Sequence, residues 1–150
     1  MLDRFRLTLG QLNPTVGDLP GNAALAREAW QAGRDAGAQL VALPELFLTG
    51  HDAKALLHNP AFQRDVVTHL EALAAHCAHG PALALGAPWV EGAKLHNAYL
   101  ILQGGRIAQR VLQHSPARHS RFDAGPISGP YAVEGLRIGS PIGADGWTGD

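Results

Sequence analysis

The spacing of hydrophobic and polar residues predicts alternating strands and helices in the first half of the chain. Apolar and polar side chains alternate over 6–12, which predicts a strand, and the proline- and glycine-containing stretch 13–21 predicts a loop. Asn22 is a suitable cap for a helix with apolar residues at helical spacing, and Gly37 suits the position after its end. The short apolar run 40–43 predicts a strand buried on both faces. A strand, a helix and a strand of this size predict a parallel unit.

The middle of the chain predicts a second helix and a third strand. Asn59 and Pro60 form a cap followed by proline at the first helical position, and the helical spacing of apolar residues continues until Gly80. The apolar stretch 82–86 then predicts another buried strand.

Antiparallel hairpins are predicted in the remainder. The segments 97–102 and 106–111 flank a Gln-Gly-Gly turn, and a second hairpin is centred on Glu134 and Gly135. Helices and parallel strands followed by hairpins predict the α/β fold class.

Length and charge limit the kinds of protein that fit. The 150 residues predict one domain over 1–150. A net charge of -1 provides no basic field, so neither nucleic acid nor an anionic membrane is an expected partner. No apolar run approaches the roughly 20 residues of a membrane span. The single cysteine, Cys77, is compatible with a reducing compartment, and we expect a soluble cytoplasmic protein.

Glu45 is the residue most suggestive of chemistry. It lies just after the apolar strand 40–43, and ligand sites of open α/β sheets lie beyond the carboxyl ends of strands. A carboxylate beside so much apolar surface needs a partner, and it could act as a general base. Alternatively, Glu45 caps the backbone of the loop that follows.

A metal site is not expected. His76, Cys77 and His79 lie close together, but they fall at the end of the second helix, where imidazoles interact favourably with the terminal carbonyls. Cys77 falls on the apolar stripe of that helix and is predicted to be a buried core residue.

Four separated segments resemble, in order, motifs of the glutaminase domain of glutamine-dependent NAD synthetases, which belong to the carbon-nitrogen hydrolase (nitrilase) superfamily. They are QLNPTVGDLPGN (11–22), ALPELFLTGHD (42–52), LHNAYLILQGGRI (95–107) and GLRIGSPIGADGW (135–147). The resemblance covers nearly the whole chain but only about the first half of that family's domain. It implies the first half of a four-layer α-β-β-α sandwich.

The resemblance also implies site residues. The family hydrolyses the side-chain amide of glutamine with a glutamate, a lysine and a cysteine, and Glu45 matches the glutamate as general base. Gly143 stands at the nucleophile position, so that position is vacant. Gln113 aligns with the lysine, and His119 aligns with a tyrosine that lines the glutamine pocket. The resemblance therefore supports descent from this family better than it supports glutaminase activity.

Three hypotheses follow: an impaired glutaminase segment of an NAD synthetase, a non-catalytic module that binds glutamine or a small amide, or a fragment without independent function. No cofactor is expected in this segment, since ATP and deamido-NAD would belong to an absent synthetase domain. A half sandwich leaves apolar surface uncovered, so we expect a second copy of the chain, a missing second half or a synthetase domain as partner. We interpret the ending at Gly149 and Asp150 as truncation.

Overall fold

The computed structural model describes residues 4–147 and has the α/β fold class that the sequence predicts. Gly149 and Asp150, where truncation is inferred, lie outside the described residues. The elements are β1 (Leu7–Leu9), α1 (Leu19–Asp35), β2 (Leu40–Ala42), α2 (Pro60–His76), β3 (Ala82–Glu91), β4 (Lys94–Gln103), β5 (Arg106–Leu112), β6 (Tyr131–Val133), β7 (Leu136–Ile138) and a 3₁₀ turn (Gly143–Gly146).

Strands β1 to β5 form one mixed sheet in chain order, and β6 pairs with β7 in a separate hairpin. The pairs β1–β2 and β2–β3 are parallel, whereas β3–β4 and β4–β5 are antiparallel. Both hairpins predicted from the sequence are therefore confirmed. Gly104 and Gly105 form the turn between β4 and β5 with φ of +61° and +80°, a region that glycine adopts at little steric cost.

The two helices differ in how well the sequence located their starts. Helix α2 begins as predicted, since the Asn59 side chain accepts hydrogen bonds from the backbone N–H groups of Ala61 and Phe62. The predicted start of α1 after Asn22 is wrong, because α1 already begins at Leu19. Asp18 caps it by accepting from the Gly21 N–H, and the proline that suggested a loop is tolerated in a first helical turn.

Strand β3 extends five residues beyond the predicted 82–86 and ends at Glu91. Strand β2 pairs with β3 only as far as Ala84, so the far half of β3 has a partner strand on one side alone. Pro88 lies in that half. Proline has no N–H to donate, and it is tolerated where a strand does not have partner strands on both sides.

The sheet separates two cores because successive strand residues point to opposite faces. Val41, Leu83 and Leu85 pack with α1 and α2, where Trp30 and Leu70 are buried. The other core lies on the opposite face of the sheet. It consists of Leu40, Ala82, Ala84, Ile101 and Val111 of the sheet, Tyr131 and Val133 of the β6–β7 hairpin, and Ile142.

The hairpin does not cover the whole second face. Thr8 points toward Gly33 of α1, so Leu7 and Leu9 point the other way, and they are 46% and 70% exposed. The expected partner that would cover such apolar surface stays a prediction. Within residues 4–147 there is no helix with the length and apolar character needed to cross a bilayer.

Candidate functional site

Glu45 lies in a tight turn immediately after β2, and this turn is anchored to β3. The Gly86 N–H donates to the Pro44 carbonyl at 3.0 Å, and the Gly86 carbonyl accepts from the Leu48 N–H at 3.1 Å. Leu46 has a φ of +50°, which non-glycine residues rarely adopt. A Cβ on Gly86 would lie 2.1 Å from the Leu46 nitrogen, so only glycine allows β3 to approach the turn this closely.

A line of side-chain hydrogen bonds runs from Glu45 across the sheet. Asn97 of β4 donates from Nδ2 to Glu45 Oε1 at 2.6 Å and to Gln113 Oε1 at 3.3 Å. Gln113, just after β5, donates from Nε2 to the Ile142 carbonyl at 3.2 Å. Asn97 is buried, and its Oδ1 has no hydrogen-bond partner within residues 4–147.

Gly143 completes this group at the start of the 3₁₀ turn. It has a φ of +53°, and a Cβ built on it would lie 3.0 Å from Gln113 Nε2 and 4.0 Å from Glu45 Oε1. The structure therefore brings Glu45, Gln113 and Gly143 together, although they are far apart in the sequence. A side chain at 143 would point between the other two.

Asp145 holds the 3₁₀ turn against the end of β5. Its carboxylate accepts hydrogen bonds from the backbone N–H groups of His114 at 2.8 Å and Ser115 at 2.7 Å. Because the turn is tied to the residues that follow Gln113, the relative position of Gln113 and Gly143 is set by backbone contacts.

A cavity of about 340 Å³ opens beside Glu45. Its lining consists of Leu43, Glu45, Tyr99, Ser140, Pro141, Ile142 and Gly143. The Tyr99 hydroxyl donates to the Leu43 carbonyl at 2.7 Å, and its burial raises the pKa of Tyr99, so the phenol stays protonated. Glu45 is half-buried and is the one charged residue of the lining, which makes this a small-molecule pocket with a carboxylate at its wall.

A neighbouring cavity of about 280 Å³ shares Ser140 and Pro141 with this pocket. The carboxylate in its wall is that of Asp145, whose oxygens already accept the two backbone hydrogen bonds of the turn. Because the Asp145 carboxylate is already engaged in holding the turn, the cavity beside Glu45 is the better candidate for an active site.

The other residues singled out by the sequence lie apart from the site. His119 is exposed in a turn and does not line the cavity beside Glu45. Cys77 lies in the helix-side core as predicted, and burial raises the pKa of its thiol to about 12, so it supplies no thiolate. His76 packs edge-on against Trp30, and residues 4–147 contain no group of three metal-ligating side chains placed to hold an ion.

Sequence reasoning missed Asn97, Tyr99 and Gly86, all of which shape the site. Asn97 and His96 are polar residues followed by the largely apolar stretch 98–102 of β4, and a polar pair beside an apolar stretch could have pointed to Asn97. The closeness of Gly86 to the Glu45 turn had no local signal, because a glycine within a strand pattern has several structural explanations.

The sequence that forms this sheet and site matches a known family. The model of the carbon-nitrogen hydrolase family matches residues 6–141, and the chain therefore belongs to this family.

Curated relatives with similar sequences are glutamine-dependent NAD(+) synthetases. The protein of Rhodobacter capsulatus is 47% identical over the whole of this chain, and that of Thermotoga maritima is 29% identical over 97% of it. The chain spans only 28% and 26% of the lengths of these relatives.

Solved structures agree on the fold. A glutamine-dependent NAD+ synthetase from Acinetobacter baumannii superimposes with a TM-score of 0.82 and 20% identity, over 96% of this chain and 28% of that chain. An amidase of the nitrilase superfamily from Nesterenkonia AN1 superimposes with a TM-score of 0.72 and 22% identity, over 87% of this chain and 52% of that chain. The likeness to these structures supports the predicted nitrilase-like architecture.

Proposed function

We propose that this chain is a glutaminase-like segment of a carbon-nitrogen hydrolase that binds a small amide beside Glu45 and does not hydrolyse it. The observation that carries the proposal is the absence of a side chain at Gly143, at the point where Glu45 and Gln113 meet. The names of the curated relatives, which are glutamine-dependent enzymes, support glutamine as the source of that amide.

Amide hydrolysis through a covalent intermediate needs a nucleophile, a base and donors for the oxyanion. Glu45 is placed to accept a proton from a group at position 143, since a Cβ there would lie 4.0 Å from its Oε1. Gln113 Nε2 lies beside the same point and can donate a hydrogen bond to an oxygen. Without a thiol or hydroxyl at 143, no acyl-enzyme forms, and the bound amide stays intact.

Binding does not depend on the missing nucleophile. The Glu45 carboxylate can accept from the amide NH₂ group, and the apolar wall of Leu43, Pro141 and Ile142 can cover the carbon atoms of the ligand. By the family resemblance, ATP and deamido-NAD would be bound by a synthetase domain, and the chain spans only 28% of the length of the Rhodobacter capsulatus relative.

A glutaminase assay on designed variants tests this proposal. We expect glutamate release by the unmodified chain to stay at background. Gly143→Cys places a thiol next to Glu45. The φ of +53° makes any side chain at 143 strained, whereas the 3.0 Å contact of its Cβ is with the flexible end of Gln113, which can move. Adding Gln113→Lys supplies the missing positive charge, so the double variant should exceed Gly143→Cys by about 100-fold, the usual contribution of one oxyanion donor.

Labelling of Gly143→Cys with iodoacetamide checks that the new thiol is formed and accessible, and Gly129→Ala serves as a control substitution outside the lining of the cavity beside Glu45. Glutamate release by the unmodified chain well above that of Glu45→Ala would contradict the proposal.

A further inference from the structure

The cavity beside Glu45 has an unbalanced charge. Glu45 is the only charged residue in its lining, and the ion pairs within residues 4–147 are Lys54 with Asp52 and Arg110 with Glu91. No cation therefore neutralises the Glu45 carboxylate within the described part of the chain. The neutral Gln113 amide stands in the place where the family resemblance implies lysine.

The hydrogen-bonding capacity of Glu45 is only partly used. Asn97 Nδ2 donates to Oε1, and no described residue donates to Oε2. An ionised carboxylate offers about four lone-pair positions. The second oxygen can therefore accept hydrogen bonds from the N–H groups of a ligand.

Other polar groups in the lining and beside it also favour a ligand that donates hydrogen bonds. The Tyr99 hydroxyl hydrogen goes to the Leu43 carbonyl, which leaves the phenol oxygen as an acceptor. The Ser140 hydroxyl shares one hydrogen bond with the Tyr131 hydroxyl at 2.9 Å. Gln113 Nε2 donates to the Ile142 carbonyl, so its donor capacity toward the cavity is reduced.

We propose that the cavity selects a small organic cation with N–H donors, an amidinium or a primary ammonium group, over a neutral amide of the same shape. This inference rests on the proposed function and names the ligand class of the same cavity. An amidinium has the planar outline of an amide but carries N–H donors on both arms. Both arms can face acceptors, and a charged donor on a carboxylate makes a shorter and stronger hydrogen bond than a neutral one.

Three probes of nearly equal size isolate the charge: acetamidinium, acetamide and acetate. Binding is measured by two-dimensional NMR titration of the full chain at pH 7, following the backbone signals of Asn97 and Gly143. We expect acetamidinium to bind about tenfold more tightly than acetamide, which is the range of a charge-assisted contact at a half-buried carboxylate. Acetate should not bind.

Variants assign the effect to Glu45. Glu45→Gln should remove the preference for acetamidinium, whereas Glu28→Gln, which makes the same charge change at an exposed position on α1, should leave it unchanged. Gln113→Lys places a cation beside the carboxylate and should reverse the preference toward acetamide. A thermal melt of each variant confirms that it is folded.

The possible outcomes separate the two proposals. Acetamide binding as tightly as acetamidinium would overturn the cation preference and leave the amide-binding function standing. A preference that survives in Glu45→Gln would also overturn it. If no probe shifts the signals of Asn97 or Gly143, the binding function itself is wrong, and the preference is overturned with it.

Discussion

Single glycines and amides determine the geometry of the candidate site. Gly86 lets β3 pack directly on the Glu45–Leu46 peptide, and this contact supports the unusual φ of +50° at Leu46. Backbone in such a region persists only where the surroundings hold it, and such residues cluster at functional sites. Asn97 then fixes the direction of the Glu45 carboxylate through a hydrogen bond of 2.6 Å.

Gly86→Ala tests whether the close approach of β3 holds the Glu45 turn. A Cβ there would lie 2.1 Å from the Leu46 nitrogen and 2.7 Å from Glu45 Cα, both of them backbone atoms that cannot move cheaply. We expect a loss of about 3 kcal/mol in the free energy of unfolding in urea. The control is Gly129→Ala, where nothing lies within 4 Å of the added methyl group. Equal stabilities of the two variants would show that the close approach does not constrain the turn.

Among the elements, α1 has a role beyond covering the sheet. Asn22 in its first turns accepts from the Thr15 N–H at 2.8 Å and donates to the Thr15 carbonyl at 2.8 Å and the Leu48 carbonyl at 2.9 Å. The helix thereby ties the loop before it to the segment that follows Glu45. The same residue that the sequence suggested as a helix cap is a buried bridge between two loops.

Asn22→Ala should therefore be more damaging than a cap substitution. It removes three hydrogen bonds and leaves the buried Leu48 carbonyl without this donor, so we expect a loss of about 2 to 3 kcal/mol in unfolding free energy. Gln31→Ala on the exposed face of the same helix removes one hydrogen bond to Asp35 and should cost less than about 0.5 kcal/mol. Urea denaturation of both variants checks the difference, and a similar loss in both would contradict the bridging role.

Over the whole molecule, the sheet divides the interior into two cores that bury titratable groups of different kinds. Cys77 lies in the helix-side core, and Tyr99 and Tyr131 lie in the core beneath the β6–β7 hairpin. Burial raises the pKa of Cys77 to about 12, and it raises the pKa of both tyrosines. The folded protein thus keeps protons that the unfolded chain releases at high pH.

Stability should consequently fall under alkaline conditions. The contribution of Cys77 is fully present below the pKa of an unfolded thiol, about 8.5, and is lost as the pH rises toward the folded value of about 12. The tyrosine contributions are lost above about pH 10. We expect the free energy of unfolding to fall by roughly 1 kcal/mol between pH 9 and pH 10.

Urea unfolding at pH 7.5, 9, 10 and 11 measures this dependence, and Cys77→Ala should have a flatter profile between pH 9 and 10. An unmodified chain with constant stability up to pH 11 would show that these groups are not protected from titration.

The sequence alone determined the α/β class, the start of α2 and the presence of both hairpins, because these depend on local periodicity, caps and turn residues. Glu45, Gln113, Gly143 and His119 were selected from local motifs and a family resemblance, and their functional roles stay predictions. Only the tertiary structure decided that the first three converge and that His119 lies elsewhere. Asn97 reaches Glu45 across 52 positions of sequence, and such a contact depends on strand pairing and on the space left by Gly86, which no local pattern contains.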